Sequence, residues 1–339
     1  MFIHLKGCDL LFFSPADNTL PRHIRITSLL IKLFKQAGVS LWLHWNAQRI
    51  ITEHHLDQLN IHTGPGGVLC TRRLSVPVII TCHHTYHQQC RYLPSQFWKR
   101  LFIPFEVRTY RLATRIVTVS ETTRTALIEH YRITAEKITV IHNAVDTSCF
   151  HPLGTLKDPH SILYLGRVDK RKGIDFLIKS MPLVREQIPD VHLAVCGTGA
   201  YLEKMRRLVN RLELQRNVTF YGFIPDKELN ERYNRSQCVV VPSVFEGFGI
   251  TVIEALAAGT RVVGTDVDGI REIITSGDYG RLVPFGDTKA LAEAIIAELR
   301  NPRQAGELSP EYRIDRMGER YRSLFAEPVA EPEKSPDYD

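Results

Sequence analysis

The stretch 242-PSVFEGFGITVIEALAAG-259 lies between two apolar runs, 238-CVVVP-242 and 261-RVVGTD-266. Short β-branched runs bounded by Gly and Pro read as strands buried on both faces. Between them Gly249 opens a helix and Gly259 closes it. Strand, loop, helix and strand in that order form the unit of an α/β fold with a parallel sheet. Ligands in such sheets gather at the carboxyl ends of the strands. Glu246 stands in the Gly-rich loop and Glu254 about one turn into the helix, so the two carboxylates do not share a helix face. Gly247 and Gly249 allow a close approach of backbone to ligand, and the amides that open the helix form an anion seat.

Working outward, the same rhythm fills the chain. On the near side, 161-SILYLGRV-168, 191-VHLAVCGTG-199 and 217-NVTFYG-222 read as strands, with helices over Gly173–Val184 and Tyr201–Leu212. In the first part, 9-DLLFF-13 reads as a strand and 22-RHIRITSLLIKLFKQAG-38 as a helix ended by Gly38. VSLWLHW from Val39 reads as the next strand by its alternation, followed by the strands VPVIIT, RIVTVS and KITVIHN. The loop 143-NAVDTSCFHPLGTLKDPH-160 has the composition of an interdomain linker. The expected organisation is a domain over 1–155, a second over 156–310, a closing helix over 311–325, and a disordered Pro- and acid-rich tail over 326–339.

The strand ending in Gly166 is followed by 166-GRVDKRKG-173, where Arg167 and Lys172 bracket a tight turn. A planar fork and a mobile point charge are the pair that would neutralise a diphosphate, although a charged surface loop would look the same. The carboxylates Glu246 and Glu254 would accept hydrogen bonds from sugar or ribose hydroxyls. The turn 196-CGTGAYL-202 has part of the dinucleotide fingerprint, but Leu202 stands in place of its third glycine, which argues against NAD.

Taken together, GR-x4-KG, the GxG turn and E-G-F-G-x4-E-A resemble the nucleotide-sugar domain of retaining glycosyltransferases of the GT-B fold, group 1 or family 4. DGIREII and GDYGRLVPFGDTKALAEAI extend the resemblance over about 161–300. It implies two facing doubly wound Rossmann-like domains with a cleft between them, the first for an acceptor and the second for a donor. It implies that Gly166, Arg167 and Lys172 hold the donor diphosphate and that Glu254 binds the ribose. Glu246 would lie at the transferred sugar, and Gly197, Gly199 and the Phe248–Gly249–Ile250 turn would line the nucleotide and sugar. The implied reaction moves a sugar from a UDP-, GDP- or other nucleoside-diphospho-sugar to an acceptor with retention, without metal or cofactor, in glycan, polysaccharide or glycolipid synthesis. A GT-B-fold epimerase and a non-catalytic nucleotide-sugar-binding protein are the alternatives. Asp268 and Arg271 depart from the family's Gly and Pro, and Asn18–Thr19 from its paired Gly, whereas Arg22–His23 fits.

The run 82-CHHTYHQQC-90 holds two cysteines and three histidines and invites a zinc reading. Its Cys-x7-Cys spacing fits a tetrahedral site poorly, and Cys82 and His83 alternate on a strand. The resemblance aligns VPVIITCHH with a strand that ends in a catalytic histidine. That makes His83 the candidate at the sugar or acceptor, with no metal.

Seven cysteines, an odd number, several of them in apolar runs, point to a reducing compartment and a cytoplasmic protein. No apolar run approaches the ~20 residues of a membrane span, and the N-terminus reads as a strand rather than a signal peptide. Residues 1–155 carry 17 Lys/Arg against 9 Asp/Glu and 12 of the 14 histidines, while the whole chain has a net charge of +6. That basic half is either a solvated face or a surface for anionic lipid or acceptor, which would place the protein peripherally on the inner face of the cytoplasmic membrane. No nucleic-acid motif accompanies it. FWKRLFIPFEVRTYRLATR, 97–115, interleaves aromatic and basic residues and reads as a buried helix with a wet basic face or as an interfacial membrane patch.

Overall fold

A computed structural model describes residues 12–14, 23–25, 29–63 and 73–327, with side chains over 41–62 and 73–327. Asn18–Thr19, Arg22, the side chain of His23 and the tail beyond 327 lie outside the described residues. Contacts divide the chain into two units, one up to His142 and rejoined from Met317, the other Asn143–Arg316. Every strand pair among the described residues is parallel.

In the first unit β1 (Phe12–Ser14) pairs with β2 (His23–Arg25), followed by helix α1 (Leu29–Glu53). A four-stranded sheet then runs in chain order: β3 (Leu59–Thr63), β4 (Val78–Cys82), β5 (Arg115–Thr118) and β6 (Ile138–Val140). Between β4 and β5 come α2 (Tyr86–Tyr92), a 3-10 segment Pro94–Phe102 and α3 (Ile103–Leu112), and between β5 and β6 comes α4 (Glu121–Tyr131). Ile80, Ile116, Tyr110, Leu127 and Tyr131 fill the core between sheet and helices.

The second unit is a six-stranded sheet of β7 (Ser161–Leu165), β8 (His192–Cys196), β9 (Val218–Gly222), β10 (Cys238–Val241), β11 (Arg261–Thr265) and β12 (Gly280–Val283). Helices α5 (Ile174–Gln187), α6 (Leu202–Arg211), α7 (Asp226–Arg235), α8 (Ile250–Ala257), α9 (Asp268–Ile273) and α10 (Thr288–Arg300) connect and cover them. The spatial order is β12-β11-β10-β7-β8-β9. The chain winds one way from β7 and the other way from β10, so the switch point of this doubly wound sheet lies between those two strands. That is where such sheets open a crevice for ligands. Helix α11 (Ile314–Ala326) follows, and the first unit receives its end: Gln58 Nε2 donates to Phe325 O at 2.9 Å and Arg115 Nη1 to Leu324 O at 3.4 Å.

Three expectations need correction or refinement. Helix α1 runs unbroken through Gly38 and through VSLWLHW, so the helix end and the strand expected there are one helix. Seven residues of alternation obscured the helical spacing of buried Ala47, Ile50 and Ile51 just beyond. The segment from Asn143 is not a free linker but is bound along its length to the second unit. His151 N–H donates to Asn230 Oδ1, Leu153 N–H to Asn234 Oδ1, and Lys157 Nζ to Ser236 O and Thr260 Oγ1. Finally, no residue of Pro94–Phe102 is buried, so the buried-helix reading fails for that part of the aromatic and basic stretch.

Candidate active site

The loops leaving β7 and β10 are neighbours at the switch point because their strands pair, Cys238 with Ile162 and Val239 with Leu163. Two glycines make the close approach possible. Gly173 has φ +64°, and a Cβ there would lie 1.8 Å from Pro242 O; Gly197 has φ +141°, and its Cβ would lie 1.9 Å from Gly166 O. Any other residue would force the loops apart. Backbone bonds lace the same seam: Val244 N–H to Arg171 O at 2.9 Å, Gly166 N–H to Cys196 O at 3.0 Å, and Val168 N–H to Thr198 O at 2.9 Å. Gly199 packs against the Val168 backbone in the same way. The glycines expected to line the nucleotide therefore also hold the loops together. Asp169 accepts from Lys172 N–H at 3.1 Å and fixes the turn that presents Lys172.

The chemistry of the seam centres on Glu246. Lys172 Nζ lies 2.5 Å from its Oε2, Arg171 Nη1 lies 3.8 Å from its Oε1, and Ser243 Oγ donates to it at 3.3 Å. Burial by itself would raise the pKa of this carboxyl, but the ammonium of Lys172 and the guanidinium of Arg171 outweigh burial and hold it below the ordinary value. Arg171 also donates to Phe245 O at 3.3 Å, which aims it into the loop. Arg167, by contrast, is 71% exposed and pairs with Asp169 at 3.1 Å.

Gly249 opens α8 with no side chain capping its first turn; Val252 N–H already turns back to Gly249 O at 2.9 Å, which leaves the Ile250 and Thr251 amides as the ones facing out of the helix end. Ile250 is exposed at that end, whereas Phe248 is buried edge-on against Tyr312. Gly269 N–H donates to Glu246 O at 3.1 Å and braces the loop from behind. Asp268 is buried at the start of α9, and Arg271 pairs with Asp266. Glu254 accepts from the Tyr233 hydroxyl at 2.7 Å. Burial raises the pKa of Glu254, the tyrosine partly offsets that, and Asp226 adds to it.

In the first unit His83 follows the last residue of β4, and its Nε2 lies 3.1 Å from Nδ1 of His62 on β3, with the rings stacked at 5.4 Å. Desolvation lowers the pKa of both, to about 4 for His62, where the His83 charge adds to it, although His62 keeps solvent-exposed surface. Both shifts favour the neutral imidazole. Cys82 and Cys90 have other partners: the Tyr110 hydroxyl lies 3.0 Å from Cys82 Sγ, and Cys90 Sγ donates to Gln96 O at 3.4 Å. His84 is bonded to Gln89, and the His87 ring lies tilted against that of His130. Among the described residues no three metal-ligating side chains converge.

Lys172, Glu246, Gly166, Gly197, Gly199 and the start of α8 thus meet at one edge of the second unit, as does Arg171, which the sequence reading passed over. Tyr233 and His62 were also missed. The profile "Glycosyl transferases group 1" matches residues 150–314 and "Glycosyltransferase Family 4" residues 4–148. An uncharacterized glycosyltransferase of Methanocaldococcus jannaschii is 30% identical over 212 residues, which are 59% of this chain and 54% of that protein. The chain thus spans about half the length of that curated relative. Sucrose-phosphate synthase from Thermosynechococcus elongatus superposes with TM-score 0.76 at 24% identity over 86% of this chain and 80% of that one. The Anabaena protein HepE in complex with UDP does so with TM-score 0.66 at 19% identity over 82% and 81%. With the parallel sheets, the switch-point loops and the two matched profiles, the chain belongs to the group 1 glycosyltransferases and has their GT-B fold of two Rossmann-like domains.

Proposed function

We propose that this protein is a retaining, metal-independent, hexosyltransferase-type glycosyltransferase that takes a nucleoside-diphospho-sugar as donor. The observation that carries the reading is the pair of cations, Lys172 and Arg171, gathered on Glu246 at the switch point beside the uncapped start of α8. An anionic diphosphate entering there meets two fixed cations and a helix N-terminus. In the transfer step the bond from the sugar's anomeric carbon to the diphosphate oxygen breaks, and the acceptor oxygen bonds to the same face of that carbon. The acceptor proton passes to the departing diphosphate. Negative charge grows on the diphosphate as the bond breaks, and pre-placed cations stabilise it without reorganising. Glu246 holds Lys172 in position before the donor arrives and accepts a hydroxyl of the transferred sugar afterwards. Glu254, oriented by Tyr233, takes the ribose hydroxyls. Gly166, Gly197, Gly199, Phe248, Gly249 and Ile250 supply backbone for the phosphates and sugar, with Arg167 reaching in from the rim. His83 is assigned to the sugar or acceptor, as a neutral imidazole. Donor and acceptor are substrates, and no resident cofactor takes part.

The protein works in the cytoplasm, peripherally at the membrane, in the synthesis of cell-envelope polysaccharide or a related glycan. No described helix is long and apolar enough to cross a bilayer. The test is thermal melting with UDP-, GDP-, ADP- and dTDP-sugars, each with and without EDTA. A donor at about 100 times its dissociation constant adds roughly 2.7 kcal/mol. The expected result is a rise with one nucleotide class that EDTA leaves unchanged and Lys172→Ala removes. No rise with any donor, or a rise that needs a divalent ion, overturns the reading.

A further inference from the structure

Among the described residues, four large exposed apolar side chains fall within nine residues of chain: Phe97 at 69%, Trp98 at 51%, Leu101 at 75% and Phe105 at 46%. They stand on the 3-10 segment Pro94–Phe102, which buries nothing, and on the start of α3. A segment that buries no residue while exposing Phe97, Trp98 and Leu101 presents an apolar surface for something outside the chain. The charges around it say what. From Arg91 to Arg111 the basic residues are Arg91, Lys99, Arg100, Arg108 and Arg111, all with exposed or half-exposed side chains. The single acidic residue in that span, Glu106, is 3% exposed and turned inward onto Tyr86 N–H and the hydroxyl of Tyr131. The exposed surface of 91–111 is therefore apolar and aromatic, and its exposed charged side chains are all basic.

We infer that Phe97, Trp98, Leu101 and Phe105 insert into the headgroup region of an anionic lipid bilayer, with the flanking arginines on the lipid phosphates. Apolar and aromatic side chains at the acyl boundary and long cations reaching up to the headgroups are the division of labour that such an interface rewards. A protein partner would have to bring an acidic rim to an apolar knob, whereas an anionic leaflet supplies both at once. The patch is also tied to the candidate catalytic loop. Lys99 Nζ donates to Gln89 Oε1, and Gln89 bonds to His84, next to His83. Resting on the reading of His83 as the sugar- or acceptor-side residue, docking through this patch holds the His83 loop close to the bilayer surface.

The test is co-sedimentation of the full chain with phosphatidylcholine vesicles, with and without phosphatidylglycerol, at low and high salt. The expected result is binding that requires phosphatidylglycerol, weakens with salt, and drops at least about tenfold in Trp98→Ser/Leu101→Ser and in Arg100→Glu/Arg111→Glu. These side chains are exposed, so both variants should melt like the parent, and Lys204→Glu/Arg207→Glu on α6 should bind like it. Binding that is absent, indifferent to lipid charge, or unchanged in both patch variants overturns the inference. So does a dimer in the absence of lipid that Leu101→Ser dissolves. Donor-induced melting shifts are read on the same samples, so failure at the vesicle leaves the donor reading standing, and the reverse.

Discussion

Glu246 and Glu106 are both carboxyls withdrawn from water, and the two units treat them in opposite ways. Glu246 lies between two loops that bring Lys172 and Arg171 to it, and those charges keep it ionised despite its burial. Glu106 is surrounded by hydroxyls and amides: Tyr131, Tyr110 at 3.3 Å, and Tyr86 N–H at 3.1 Å. Its desolvation is not repaid, and its pKa rises to about 7 despite those bonds and the more distant Lys99. Charge compensation makes a site ready for an anion. Hydroxyl compensation makes a fastener: Tyr131 also accepts from His87 N–H at 3.2 Å, so Glu106 and Tyr131 pin the first turn of α2 behind the His83 loop.

Removing the ammonium breaks the comparison most sharply. Lys172→Ala leaves Glu246 with only the longer contact to Arg171, and losing one partner of a buried pair costs about 3–5 kcal/mol. Transfer should fall by about 10²–10³, the loss typical of a charge-stabilising donor. Adding Glu246→Gln should recover most of the melting temperature and none of the turnover, which separates the folding role of the pair from its chemical one.

The two carboxyls should also carry opposite pH signatures. A folded-state pKa raised from 4.5 to about 7 means that Glu106 contributes stability that is full below pH 4.5 and lost as pH rises through 7. The amount is on the order of 3 kcal/mol. Glu246, with its pKa depressed, contributes stability that is present above pH 4.5 and lost as pH falls further. Chemical unfolding of Glu106→Gln across pH 5 to 8 should show a flatter profile than the parent, converging with it at the acid end. An unchanged slope would mean that Glu106 is ionised throughout.

How much of this could be read beforehand follows from how local each signal is. The β-branched strands of the second unit and the Glu246–Glu254 spacing are short-range patterns, and the structure keeps both. In 170-KRK-172, however, nothing local says that Arg171 turns inward as well as Lys172. That depends on the β10 loop, where Phe245 O, 74 residues away, accepts from Arg171. Tyr233 is tied to Glu254 only because α7 packs beside α8. Glu106 reads as one more charge in a basic helix until Tyr131, 25 residues on, closes over it. Helix α1 was lost to a local pattern that happened to alternate.

A smaller effect tests the ribose side. The Tyr233 hydroxyl, fully buried, donates its proton to Glu254. Tyr233→Phe keeps the ring packing and removes one charge-assisted hydrogen bond, which costs about 1.5–3 kcal/mol. If Glu254 holds the ribose, KM for the donor should rise while kcat changes little, because the ribose is remote from the breaking bond. A fall in kcat at constant KM would move Glu254 from nucleotide binding to the reacting centre.

The smallest effect belongs to Arg167, and it weighs most on the residue roles that the resemblance implies. Resemblance makes Arg167 the partner of Lys172 on the diphosphate, yet it stands 71% exposed on Asp169 while Arg171 points at Glu246. An exposed ion pair is worth about 0–1 kcal/mol, so Arg167→Ala should leave the melting temperature nearly unchanged. If Arg171 is the second cation on the diphosphate, Arg167→Ala should cost turnover far less than Arg171→Ala does. If instead Arg167 swings from Asp169 onto the bound donor, the order reverses, and Asp169→Asn should mimic neither. Measuring kcat/KM for the two alanine variants with one donor decides which arginine the diphosphate uses.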